Sequence, residues 1–180
     1  MEKNTTDCLK GAAAVVVMLY HLTFYSDNRM LSLIFANTGQ LAVAVFLFMS
    51  GYGLTVRFQK KGRQYFEGFW LNKVFHLILI FLVSGTVVTA FCFAIGELTA
   101  LYKKQIDKKT EKGRGIWLLA ATAVFLVIEW KYRQGVRQLQ YICPVSFLVL
   151  IYLFTLRVRV NSRILKFFNQ MTFELYLVHR

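Results

Sequence analysis

Acidic residues and proline are scarce in this chain. Nine Asp and Glu stand against 22 Lys and Arg, for a net charge of +13. Proline occurs once, at Pro144, near the start of an apolar run, where a first helical turn tolerates it. The three cysteines, Cys8, Cys92 and Cys143, are isolated within or at the edge of apolar runs. They show neither a disulfide framework nor metal-ligand spacing, so they read as packing residues, with no metal site. A nucleotide-binding glycine loop is also missing. No internal repeat, low-complexity tract or second domain is visible, and residues 1–180 read as one unit.

Apolar length is abundant. The 180 residues are 57% hydrophobic, with a mean hydropathy of +0.48. Apolar runs cover 8–25, 34–56, 74–101, 115–130 and 141–156, separated by short charged stretches. Runs of about 17–25 residues cross a hydrocarbon core as helices. Helices satisfy their own backbone, which lipid cannot do for them. The runs do not alternate, which excludes a membrane β-barrel pattern. The expected fold is therefore all-α: a polytopic bundle of about five complete helices, plus the start of another at 164–180. The basic residues fall between the runs, as positive-inside charge beside lipid does, and not on a soluble nucleic-acid-binding face. A cleaved signal peptide is disfavoured, because "LYHLTFYS" follows the first core without a small-residue cleavage site.

The loop "RFQKKGRQYFEGFWLNK" carries five basic residues against Glu67, and places itself and the N-terminus in the cytoplasm. The later stretch "YKKQIDKKTEKGRG" carries six basic and two acidic residues. The same rule assigns it to the same side, yet one crossing by 74–101 assigns it to the other. That run is shorter than the roughly 34 residues two crossings need.

Lys10 and His21 stand out in "LKGAAAVVVMLYHL". Eleven residues turn about 1,100°, within roughly 20° of three full turns, so the pair shares one helix face about 16 Å apart. With Lys10 at the cytoplasmic interface, His21 lies deep in the bilayer, facing other helices or a polar cavity. A neutral imidazole there is either a general base on an alcohol or a histidine bonded to a neighbouring helix. The residues alone leave both open. Helix 2 supplies Ser50, Gly51 and Gly53 in "FLFMSGYGLT", where glycine permits close approach. Glu97 lies inside the third run and reads as interfacial, while Glu129 reads as an ordinary helix boundary.

Four segments resemble the membrane acyltransferase 3 family. "DCLKGAAAVVVMLYH" is similar to its first helix, with a basic residue, ten residues and a histidine. "VAVFLFMSGYGLT" is similar to its second-helix Ser-Gly motif. "AIGELTALYKKQIDK" resembles a later glycine-containing helix and basic loop, and "FFNQMTFELYLVHR" its closing motif. The resemblance implies an integral membrane enzyme that moves an acyl group, commonly acetyl, from acyl-CoA to a hydroxyl of a sugar or cell-surface glycan. Acyl-CoA would be a donor substrate, and no bound cofactor is implied. His21 would be the base. Lys10, Ser50, Gly51, Lys73 and His76 would contact substrate or acyl-CoA, and Asp7, Glu174, Tyr176 and His179 would support them. Lys10 stands where the family has arginine, and lacks its planar fork. Lys73 and His76 replace two arginines three apart. The middle helices of the family are absent, with an expected deletion near 82–92, and the last helix is begun but not finished. The expected location is a bacterial inner membrane with a cytoplasmic N-terminus. The alternatives are an inactive remnant of such an enzyme and a non-catalytic transport or assembly subunit. The acceptor and the oligomeric state are not readable from the sequence.

Overall fold

The computed structural model describes residues 1–26, 29–35, 38–62 and 87–170. The described residues form α1 (Lys3–Leu22), α2 (Arg29–Phe35), α3 (Thr38–Lys61), α4 (Val87–Leu101), α5 (Lys103–Glu111), α6 (Arg114–Arg133), α7 (Ile142–Arg157) and α8 (Arg163–Gln170). A 3₁₀ turn, Arg137–Gln140, leads into α7, and no strand occurs among these residues. The all-α reading holds. Among the described residues three helices are long and apolar enough to cross a membrane: Thr38–Lys60, Arg114–Arg133 and Gln138–Arg157. The segment Ala90–Leu101 is apolar but shorter. α1 begins at Lys3 and not at the expected residue 8, so its first turns carry Thr5, Thr6 and Asp7.

Local chemistry sets several boundaries. Gly113 and Gly135 have φ of +94°, and they bracket α6. At its C-terminus Gly135 N–H bonds the carbonyl of Tyr132 and Val136 N–H that of Lys131, the paired bonds with which a left-handed glycine closes a helix. Pro144 occupies the first turn of α7, where its missing N–H costs nothing.

The core is built around α3, with Leu47, Phe48 and Met49 almost wholly buried. α1 runs antiparallel to it. The Met1 amine meets Tyr52, Lys10 lies over Phe46 and the Tyr20 ring lies against Gly39. α8 runs parallel to α1, with Arg159 near Glu2, Ser162 against Cys8 and Leu165 against Gly11. All three cysteines are free and buried, as expected of packing residues. α6 and α7 form an antiparallel hairpin, from Gly115 beside Arg157 to Glu129 beside Cys143. α7 returns to α3 through Tyr152 and Phe48.

α3 and α4 are parallel. A Cβ on Gly51 would strike the Phe93 carbonyl, and one on Gly96 would strike the Phe48 carbonyl. Beyond these, Gly51 faces Glu97 and Gly96 faces Tyr52. Each contact maps onto its counterpart by the same sequence offset, as in two helices related by an axis along their length. Only glycine lets the backbones come this close. The sequence carries the same offset: Phe46-x-Phe48-x-x-Gly51 recurs as Phe91-x-Phe93-x-x-Gly96. The expectation of no internal repeat is thus corrected over this short motif.

α3 and α4 both finish at the end marked by Met1, so the basic stretches 57–61 and 103–114 lie at the same end. The charge rule, which assigned both stretches to one side, agrees with this arrangement. Of the expected junction near 82–92, residues 82–86 lie outside the described residues, and 87–92 are helical.

Candidate functional site

The position along α3 measures depth. Thr38 begins the membrane-length segment and Lys60 ends it. Lys10 is half-buried, with its ammonium 5.7 Å from the centre of the Phe46 ring. Phe46 lies about 12 Å inside the start of α3 at 1.5 Å per residue. Lys10 is thus well inside the apolar span. Facing an aromatic ring gives the ammonium an electrostatic partner there. His21 lies at the opposite end, next to Tyr20, whose ring abuts Gly39. Its imidazole meets the Tyr20 ring edge-on at 5.4 Å and the Phe24 ring at 6.1 Å. Phe24 is 67% and Tyr25 89% exposed, so α1 ends there at the edge of the bundle. Along α3, Lys10 thus lies beside Phe46, and His21 lies beside the level of Gly39.

The second-helix motif is positioned by packing. Ser50 Oγ donates to the Phe46 carbonyl one turn back, at 2.8 Å. Gly51 is covered by α4 through Phe93 and Glu97. Ser50 and Gly51 lie one to two turns from Phe46 on the Met1 side, and Asp7 is half-buried one turn before Lys10. From Gly39 to Gly51 the rise along α3 is about 18 Å. The structure thus sets Lys10 beside Phe46, between the level of His21 near Gly39 and that of Ser50 and Gly51 toward the Met1 end. Lys73, His76, Glu174, Tyr176 and His179 lie outside the described residues. Glu97, expected at the interface, sits instead at the α3–α4 crossing. Glu129 is more than a boundary, because it accepts from Arg133 Nε at 2.9 Å and from Cys143 Sγ at 3.0 Å.

A polar cluster at the Met1 end escaped the sequence reading. The Met1 amine donates to Tyr52 Oη at 3.2 Å, and Tyr152 Oη donates to Asp107 Oδ1 at 3.1 Å. Lys103 stands near both, placed to hydrogen-bond the amine and Tyr52. Burial, and then the Lys103 ammonium, push the Met1 amine down to about 5. The Lys103 ammonium is held above its ordinary range, first by that hydrogen bond and then by the charges of Tyr52 and Asp107, against desolvation. Two cations in contact cannot both stay charged at low cost. The amine therefore yields its proton and Lys103 keeps its own. The visible signal was the spacing Lys103, Ile106, Asp107, Thr110, a helical stripe inside a stretch read as a basic loop.

The described part of the first-helix, Ser-Gly and Gly96 segments thus forms one packed unit of α1, α3 and α4. No curated protein and no solved structure matches the chain. Residues 4–103, which span that unit, match the family model described as an acyltransferase domain, and the chain belongs to the membrane acyltransferase 3 family.

Proposed function

We propose that the parent activity of this fold is transfer of an acyl group, acetyl by preference, from acyl-CoA to a hydroxyl of a glycan or other sugar. The family match over 4–103 carries this reading. The two ends of the bundle suit the two substrates. Arg57, Lys60 and the lysines of α5 gather at the Met1 end, which the charge rule assigns to the cytoplasm of a bacterial inner membrane. Acyl-CoA would arrive there, with Lys10 in its path and Lys73 and His76 assisting. His21, at the far end, would take the proton of the acceptor hydroxyl as it attacks the thioester carbonyl, and the thiol of CoA would leave. Asp7, Glu174, Tyr176 and His179 would act in support.

The test is transfer of label from acetyl-CoA to membrane glycans in cells expressing the chain. His21→Ala should abolish it while membrane insertion stays normal. An unchanged rate in that variant overturns the role of His21. The inactive-remnant reading draws on one observation, the separation of about 18 Å along α3 between the levels of His21 and Gly51. Absence of label with a well-inserted wild-type chain would favour it.

A further inference from the structure

α5 divides sharply into two sides. Lys103, Ile106, Asp107 and Thr110 recur at three and four residues and face the bundle. Ile106 packs on the core, Asp107 takes the Tyr152 hydroxyl, and Lys103 reaches Tyr52 and the Met1 amine. Lys104, Lys108, Lys109 and the following Lys112 are exposed on the other side, with Glu111 the one acid among them. None of these four lysines makes an ion pair or hydrogen bond among the described residues. The outward side is therefore a cationic strip without internal compensation.

The height of this strip decides what meets it. Tyr52 lies eight residues inside the Lys60 end of one span (60 − 52), about 12 Å, and Tyr152 five residues inside the Arg157 end of another (157 − 152), about 8 Å. Lys103 and Asp107 tie α5 to these two tyrosines. Only Tyr102 separates α5 from α4, so the helix has no tether on which to drift into water. A short helix fixed beside the ends of membrane-length helices lies at the depth of headgroups. Ammonium groups at that depth are within reach of headgroup phosphates. We propose that α5 is a binding surface for the phosphate headgroups of anionic lipids in the leaflet at the Met1 end, set in register by the Tyr52–Lys103 and Tyr152–Asp107 contacts. This stands apart from the acyl-transfer reading, and neither depends on the other.

The test uses the full chain in neutral detergent micelles, titrated with phosphatidylglycerol or phosphatidylcholine at fixed ionic strength, with bound lipid counted by native mass spectrometry. The wild type should prefer phosphatidylglycerol by about 600-fold, four residues at about fivefold each. Each Lys→Gln change at 104, 108, 109 or 112 should remove about fivefold of that affinity, from the pull of one basic residue near an anionic surface. The fourfold variant should bind the two lipids nearly alike, with its melting midpoint unchanged because these side chains hold nothing in place. Tyr152→Phe should weaken the preference with all four lysines intact, and Lys131→Gln, at the other end, should leave it alone. A preference that survives the fourfold change overturns the proposal. So does displacement of the lipid by free coenzyme A at matched ionic strength, which would assign the strip to a soluble phosphate.

Discussion

α3 and α6 have the length and apolar composition of membrane-crossing helices, yet 56% of the apolar window of α3 is buried inside the protein and none of that of α6 is. The two helices differ in how closely a neighbouring backbone approaches them. α3 carries Ala42, Ala44 and Gly51 on its packed sides, and α4 meets it at Gly96. α6 presents Ile116, Trp117, Leu119, Leu126 and Trp130 outward. Lipid is as apolar as a leucine side chain, so hydropathy does not separate a helix that faces protein from one that faces lipid. Close approach of backbones does.

The sharpest way to break this contrast is to enlarge one small residue in each region. Gly96→Leu would drive a side chain into the Phe48 carbonyl and the Tyr52 amide. It should cost about 3 kcal/mol through overpacking. Ala120→Leu, on an exposed position of α6, should stay within about 0.5 kcal/mol. Unfolding in mixed micelles measures both, and equal midpoints would dissolve the distinction. Tyr152→Phe gives a smaller effect where the two regions meet. It removes a buried donor to the Asp107 carboxylate and should cost about 2 kcal/mol in the same assay. A midpoint equal to wild type would mean that this bond does not hold α5 to α7. The smallest effect belongs to the hairpin. Arg133→Gln breaks a 2.9 Å ion pair with Glu129, but the arginine side chain is 52% exposed. Water already screens the pair, and the loss should be about 0.5 kcal/mol or less. A loss as large as that of Tyr152→Phe would show that the Glu129–Cys143 corner is packed more tightly than α6 as a whole.

The helices were legible because charged stretches separate the apolar runs, and the structure keeps four such helices close to their expected places. The start of α1 was not, because hydropathy marks Cys8 while the backbone is already helical at Lys3. α5 was hidden by its charge. Four exposed lysines mask a stripe of four inward residues, and the partners of that stripe, Tyr52 and Tyr152, lie far away in sequence. The Phe-x-Phe-x-x-Gly repeat was in plain view, but its meaning needs the parallel pairing of two segments that no local pattern announces. Ser50 and Gly51 show the reverse case. The motif was read as a substrate contact, and within the described residues its serine bonds back to its own helix at Phe46 while its glycine receives a neighbour.

The parallel pairing also orders the events of assembly. Helices α6 and α7 are joined by a short turn and meet as soon as both have emerged. Gly51 and Gly96 are 45 residues apart (96 − 51), and their helices point the same way, so they cannot close as a hairpin. A contact of that sequence separation carries a larger loop-closure cost and forms late. Until α4 arrives, one side of α3 waits beside the nascent bundle with its glycine uncovered.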